Sequence, residues 1–107
     1  MDLFILLTYD NHIWAELSED QQAHWTNEFR NFARSIDEKI VQADPVNTLA
    51  RMITSEGDEV IDASEDPDRI SGYFIFQAEG WDAAVEIANT CPTIALGGHI
   101  ELRRVGR

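Results

Sequence analysis

Two stretches of helical period are set among several runs of strand period in this chain, and that count limits the folds open to it more than any other feature. Residues 2–9, Asp-Leu-Phe-Ile-Leu-Leu-Thr-Tyr, form a compact apolar run with aromatic and branched members, as suits a central strand buried on both faces. The period then changes. Ser18 and Gln21 have the spacing of a capping box, and Glu19 and Asp20 put negative charge where a helix N-terminus favours it. Behind them Trp25, Phe29, Phe32, Ala33, Ile36 and Ile40 recur at helical spacing, which predicts a long helix over 18–42 ended by Pro45. Short strand-like runs at 49–53 and 59–63 flank Glu56-Gly57-Asp58, a hairpin turn, and the acidic stretch 64–69 with Pro67 is read as a loop. Residues 70–78 form a second strong strand. Trp81, Ala84, Val85 and Ala88 mark a second amphipathic helix stopped by Pro92, and Gly97-Gly98 turns the chain. Residues 99–105 then alternate as a last strand, with Ile100 and Leu102 on one face and His99, Glu101 and Arg103 on the other.

The order is therefore β, long α, β-hairpin, β, α, β, with no repeat, linker or low-complexity tract. A length of 107 residues supplies one core, so residues 1–107 are expected to form a single domain. Two helices cover only one face of an antiparallel sheet of four or five strands. The other face needs a cover, and a second copy of the chain supplies one. The expected fold is α+β and ferredoxin-like, an antiparallel sheet with two helices on one face, assembled as a homodimer.

Charge narrows the partners. At a formal net charge of −12 the chain repels phosphate backbones and anionic headgroups, so neither nucleic acid nor a membrane surface is expected as a partner. Arg103, Arg104 and Arg107 cluster near the C-terminus but read as solvated side chains of a last strand and tail. One cysteine, Cys91, excludes an internal disulfide and fits a reducing compartment, and its helical placement reads as a packed small hydrophobe. The apolar run 3–7 is short, follows an aspartate and has no small-residue cleavage site after it, so it is not read as a signal peptide. A cytoplasmic location is the resulting expectation.

The opening Leu3-Phe4-Ile5-Leu6-Leu7-Thr8-Tyr9-Asp10, the helix start Leu17-Ser18-Glu19, Gly72-Tyr73-Phe74, Cys91-Pro92 and the closing Gly98-His99-Ile100-Glu101-Leu102-Arg103 resemble, in order and at compatible spacing, the YCII-related proteins and in particular their DGPF branch. The resemblance runs over nearly the whole chain. It implies a dimeric α+β barrel, in which two ferredoxin-like sheets pack face to face and enclose a pocket in each subunit. Relatives on that fold include monooxygenases, isomerases and dehalogenating enzymes of small, often aromatic, molecules. Two departures stand out. Asp62-Ala63-Ser64-Glu65 occupies the place of the DGPF tetrapeptide. Cys91 precedes Pro92 where the YCII-type branch has an aspartate thought to work with a histidine of the first helix, a position His24 matches here.

Four residues are candidates for catalysis. His99, Glu101 and Arg103 share one face of the last strand, where an acid, a base and a cation side by side perturb one another's proton affinity, and a carboxylate-bearing substrate can meet Arg103. The plainer reading of the same row is a cross-strand or intersubunit ion pair. His24 has Glu28 one turn later, a pairing that orients an imidazole, or a solvated helix flank. Trp14, Trp25, Trp81, Tyr9, Tyr73 and Phe74 supply aromatic surface, of which two or three are expected to touch a ligand. Three scattered histidines and one cysteine match no metal-ligand spacing, and no phosphate loop is present, so no metal or cofactor is expected. Two functions remain open: an enzyme acting on a small polar or aromatic molecule at the dimer-facing side of the sheet, and a non-catalytic dimer that binds a metabolite or another protein.

Overall fold

The computed structural model describes residues 1–106, so Arg107 of the arginine cluster lies outside the described residues. In chain order the elements are β1 (Asp2–Tyr9), α1 (Asn11–Trp14), α2 (Glu19–Ser35), β2 (Ile40–Pro45), β3 (Leu49–Thr54), β4 (Gly57–Asp62), β5 (Gly72–Ala78), α3 (Trp81–Ala88), α4 (Pro92–Leu96) and β6 (His99–Arg104). Four strands make one sheet in the order β2-β5-β1-β6, and every neighbouring pair in it is antiparallel. With α2 between β1 and β2, and α3 between β5 and β6, this is the ferredoxin-like α+β arrangement that the order of periods predicts.

Alternation along the strands assigns the two faces of the sheet. Phe4, Leu6, Phe74, Phe76 and Ala78 are buried on the face that carries the helices, packed with Phe32 and Ile36 at the end of α2 and with Ala84 and Ala88 from α3. Phe32 meets the Phe74 ring edge-on with centroids 5.0 Å apart, while Phe29 stacks on it at 6.3 Å. α2 begins where the sequence places its start: Ser18 accepts from the Gln21 backbone N–H while the Gln21 side chain accepts from the Ser18 N–H. The molecule measures 40 × 40 × 19 Å, a thickness of one sheet and one helix layer. Leu3, Ile5, Leu7 and Ile75 point to the face without helices and are each half-buried.

Several boundaries differ from the sequence expectation. The helix predicted over 18–42 stops at Ser35, and Ile40–Pro45 is the fourth strand of the sheet. Ile40 extends the apolar stripe of α2 because strand and helix deliver residues to the same core: Ile36 from the helix end, and Ile40 opposite Phe76 on β5. Asp37, Glu38 and Lys39 form the turn between them. Pro45 therefore ends an edge strand rather than a helix, a position where a missing N–H is tolerated. Pro92 likewise starts α4 at its first position instead of stopping α3, which has already ended at Ala88. The residues after β1 form the one-turn helix α1.

The expected hairpin is present, with Gly57 at φ 126° on its β4 side, but β3 and β4 form a two-stranded sheet of their own. Leu49, Ile53 and Val60 on this arm are 63%, 75% and 64% exposed. The Val46 N–H donates to the Ser71 carbonyl, continuing the β2–β5 pairing toward the arm, and the Ala63 N–H donates to the Thr48 carbonyl, closing the base of the arm.

Candidate functional site

Antiparallel register arranges the helix-free face into rows. Tyr9 lies opposite His99; Glu101, Leu7 and Tyr73 share the next row with Asp44; Arg103, Ile5 and Ile75 share the one after with Gln42. The two central columns are thus mostly aliphatic. The polar residues stand at the two edges, on β6 and on β2.

On the β6 edge the structure brings His99, Glu101 and Arg103 together around a residue that was read only as aromatic wall. The Tyr9 and His99 rings stack with centroids 4.6 Å apart and planes within 5°. The Tyr9 hydroxyl donates to Glu101 Oε1 at 3.2 Å, and Arg103 Nη1 lies 3.7 Å from Glu101 Oε2. One carboxylate therefore receives a phenol on one oxygen and a guanidinium near the other. The Tyr9 phenol is pushed above its ordinary value, first by burial against the sheet, then by the Glu101 charge and the hydrogen bond to it, with Arg103 opposing. Arg103 is 70% exposed, so its attraction for Glu101 is screened and orients more than it stabilises. Reading residues 2–9 as a strand buried on both faces hides Tyr9. Counting by twos from Leu3 puts it beside Leu7 on the face that β6 shares.

His24 does not join this group. It lies exposed on α2, on the helix-bearing side of the sheet, with its ring against Trp25 at 5.3 Å. No hydrogen bond links it to Glu28 among the described residues. Phe74 belongs to the core, and Trp81 packs edge-on against Phe4 at 5.2 Å. Of the six aromatic residues singled out in the sequence, Tyr9 and Tyr73 are the two placed by strand register on the helix-free face.

The β2 edge holds a second polar group. The Tyr73 hydroxyl donates to Asp44 Oδ2 at 3.4 Å and accepts from Gln42 Nε2 at 2.8 Å. Each edge of the face thus carries a phenol that donates to a carboxylate.

A buried latch sets the register of the Tyr9–His99 stack. Thr93, fully buried at the start of α4, donates to Asp10 Oδ2 at 3.0 Å just past the end of β1. Asp10 is 5% exposed. Gly98 sits against the Tyr9 carbonyl oxygen, the Asp10 Cβ and the Thr93 methyl, leaving no room for a side chain, so β6 starts in contact with the end of β1. Cys91 is 2% exposed; burial pushes its thiol up, and Thr93 and Asp10 are its polar neighbours. That is a packed cysteine, as its placement in the sequence suggests, and not an exposed nucleophile.

Two shallow clefts lie along the α3 side of the molecule. One, of about 300 Å³, is bounded by Trp81, Leu102, Arg103, Arg104 and Gly106; the other, of about 380 Å³, runs over residues 79–83. Neither covers the Tyr9–Glu101 pair, so in a single chain that pair is open on the sheet face. Among the described residues no group of three or more histidine, cysteine or acidic side chains is arranged to hold a metal ion, and no helix is long and apolar enough to cross a membrane.

No model of a known protein family matches the chain, and no curated protein matches it. Among solved structures it is similar to the 5-chloro-2-hydroxyhydroquinone dehydrochlorinase TftG of Burkholderia phenoliruptrix AC1100, determined in complex with 2,5-dihydroxybenzoquinone. The TM-score is 0.57 at 14% sequence identity, over 98% of this chain and 94% of that one. The likeness establishes the fold of the single chain, an α+β arrangement with helices on one face of an antiparallel sheet.

Proposed function

We propose that two copies of the chain pair through the helix-free faces of their sheets and that the enclosed face is an acid–base site for a small oxygen-bearing molecule, in a member of the YCII-related group. The observation that carries this reading is the Tyr9–Glu101 hydrogen bond, with His99 stacked on Tyr9 and Arg103 beside Glu101. A phenol held protonated is a hydrogen-bond donor for a developing oxyanion, and a carboxylate beside it is a proton acceptor. In this reading Glu101 removes a proton next to a substrate carbonyl or phenol and, once protonated, no longer accepts from Tyr9, whose O–H turns to the oxygen that gains charge. His99 returns a proton to the product, and Glu101 and His99 restore their protonation states through solvent. Arg103 orients the carboxylate and meets an anionic group of the substrate. Covering the face with a second copy excludes water, which strengthens each of these interactions.

Chemistry on a small ring compound by a protein of the same fold, as in the dehydrochlorinase structure, supports an enzyme over a passive module. The competing reading is a dimer that binds a metabolite without turnover. It draws support from Cys91, which is buried and stands where the YCII-type branch has an aspartate.

The experiment is a turnover screen of hydroxylated and halogenated aromatic acids, phenols and quinols, with Glu101→Gln and His99→Ala as controls. An acid–base role predicts a loss of about 100-fold or more in kcat/KM for each, the usual range for removing a positioned proton-transfer group. Unchanged kcat/KM in Glu101→Gln would sink it. Binding to the wild-type protein with no turnover across the screen would favour the passive dimer.

A further inference from the structure

The polar group on the β2 edge belongs to no site assigned so far, and its chemistry repeats that of the β6 edge. Tyr9 donates to Glu101 on one side of Leu7, and Tyr73 donates to Asp44 on the other, with Gln42 donating to the Tyr73 oxygen. Both pairs lie on one face, joined by a floor of Leu7, Ile5 and Ile75. A hydroxyl bound to a carboxylate still has an oxygen lone pair to offer, and the carboxylate still has acceptor capacity. Each end can therefore accept one O–H from a ligand, so a ligand hydroxyl donates at either end.

Strand spacing fixes the reach. Glu101 and Asp44 stand on the first and fourth strands of one row, and strands lie about 4.8 Å apart, so the two hydroxyls aimed at them are separated by two to three spacings, about 10–14 Å. Subtracting a hydrogen bond of about 2.8 Å at each end leaves about 4–8 Å between the ligand's two oxygens. Opposite and 1,3-related oxygens on one six-membered ring meet that span, and adjacent oxygens do not. The aliphatic floor between the two ends suits the ring's face.

We infer that the Tyr73–Asp44–Gln42 group is the second half of the binding site, and that the site takes a flat six-membered ring bearing hydroxyls at non-adjacent positions, one held by Tyr9–Glu101 and the other by Tyr73–Asp44. This rests on the reading of the helix-free face as the ligand site. It adds Tyr73 and Asp44 as residues that set specificity.

Calorimetric titration of the intact protein under argon with 1,4-dihydroxybenzene, 1,2-dihydroxybenzene and phenol tests it. The 1,4-diol is expected to bind about tenfold tighter than either of the others, the effect of one added charge-assisted hydrogen bond. Tyr73→Phe and Asp44→Asn should each abolish that advantage, so that the 1,4-diol binds no tighter than phenol, whereas Glu101→Gln should weaken all three ligands. Thermal unfolding of each variant reports whether the fold is intact. A 1,4-diol preference that survives both Tyr73→Phe and Asp44→Asn overturns the inference and leaves the β6-edge site standing, as does equal binding of all three ligands. Glu101→Gln with unchanged affinities, or no binding of any probe, overturns the reading of the face and the inference with it.

Discussion

The Tyr9–Glu101 pair makes a claim about protonation that can be measured directly. Burial and the neighbouring carboxylate raise the phenol, so the folded protein holds this proton more tightly than the unfolded chain, whose tyrosine ionises near 10. The stability this contributes is complete below pH 10 and is lost as pH rises through the folded value. In a Tyr73→Phe background, where Tyr9 is the remaining tyrosine, the phenolate absorbance is expected to appear at higher pH than in free tyrosine. Glu101→Gln should move it back toward the ordinary value, because the repelling charge is removed. An unmoved titration would show that Glu101 does not act on Tyr9. The latch beneath is a separate matter of packing. Thr93→Val keeps the shape and deletes the hydroxyl, leaving the buried Asp10 oxygen without its donor, at a cost of about 1–3 kcal/mol. Denaturant unfolding measures it. Gly98→Ala should cost more, since the added methyl meets backbone that cannot move without shifting β6.

At the scale of elements, start signals were easier to read than stops. Ser18, Glu19 and Gln21 announce α2 because capping is local chemistry, contained within four residues. Ser18→Ala removes the acceptor for the Gln21 N–H and is expected to cost about 1 kcal/mol, seen as a lower thermal midpoint. The end of α2 was hidden because Ile36 and Ile40 feed the same core from a helix end and from a strand, so the apolar stripe continues in sequence although the helix does not. Pro45 and Pro92 then misled in the same way. Proline marks a constraint on the backbone, and whether that is an edge-strand end or a first helical turn depends on tertiary neighbours that sequence does not display. The row His99, Glu101, Arg103 was legible from period two alone. Tyr9, which joins that row, was not, because an apolar run shows no alternation, and Tyr73 and Asp44 meet only through the pairing of β5 with an unforeseen strand.

For the molecule as a whole, the helix-free sheet face is the surface that calls for a cover. Leu3, Ile5, Leu7 and Ile75 form an aliphatic strip flanked by polar edges, the pattern of an interface centre and rim. Burying a strip of this kind favours self-association, and so does the arm carrying exposed Leu49, Ile53 and Val60. Against it stands the charge: each copy carries −12, so two copies repel until salt screens them. The two terms predict a definite salt dependence. Association of the proposed homodimer should tighten as ionic strength rises from about 0.01 M, where the screening length is about 30 Å, to about 0.15 M, where it is about 8 Å. A dimer held mainly by ion pairs would weaken over the same range. Sedimentation velocity on the wild-type chain at micromolar concentration checks this, alongside Ile5→Lys and Ile75→Lys, which place a charge in the strip and should yield monomers with the fold retained. If the wild-type chain sediments as a monomer throughout, or if the lysine variants remain dimeric, the helix-free face is not where the copies meet and the enclosed site loses its second wall.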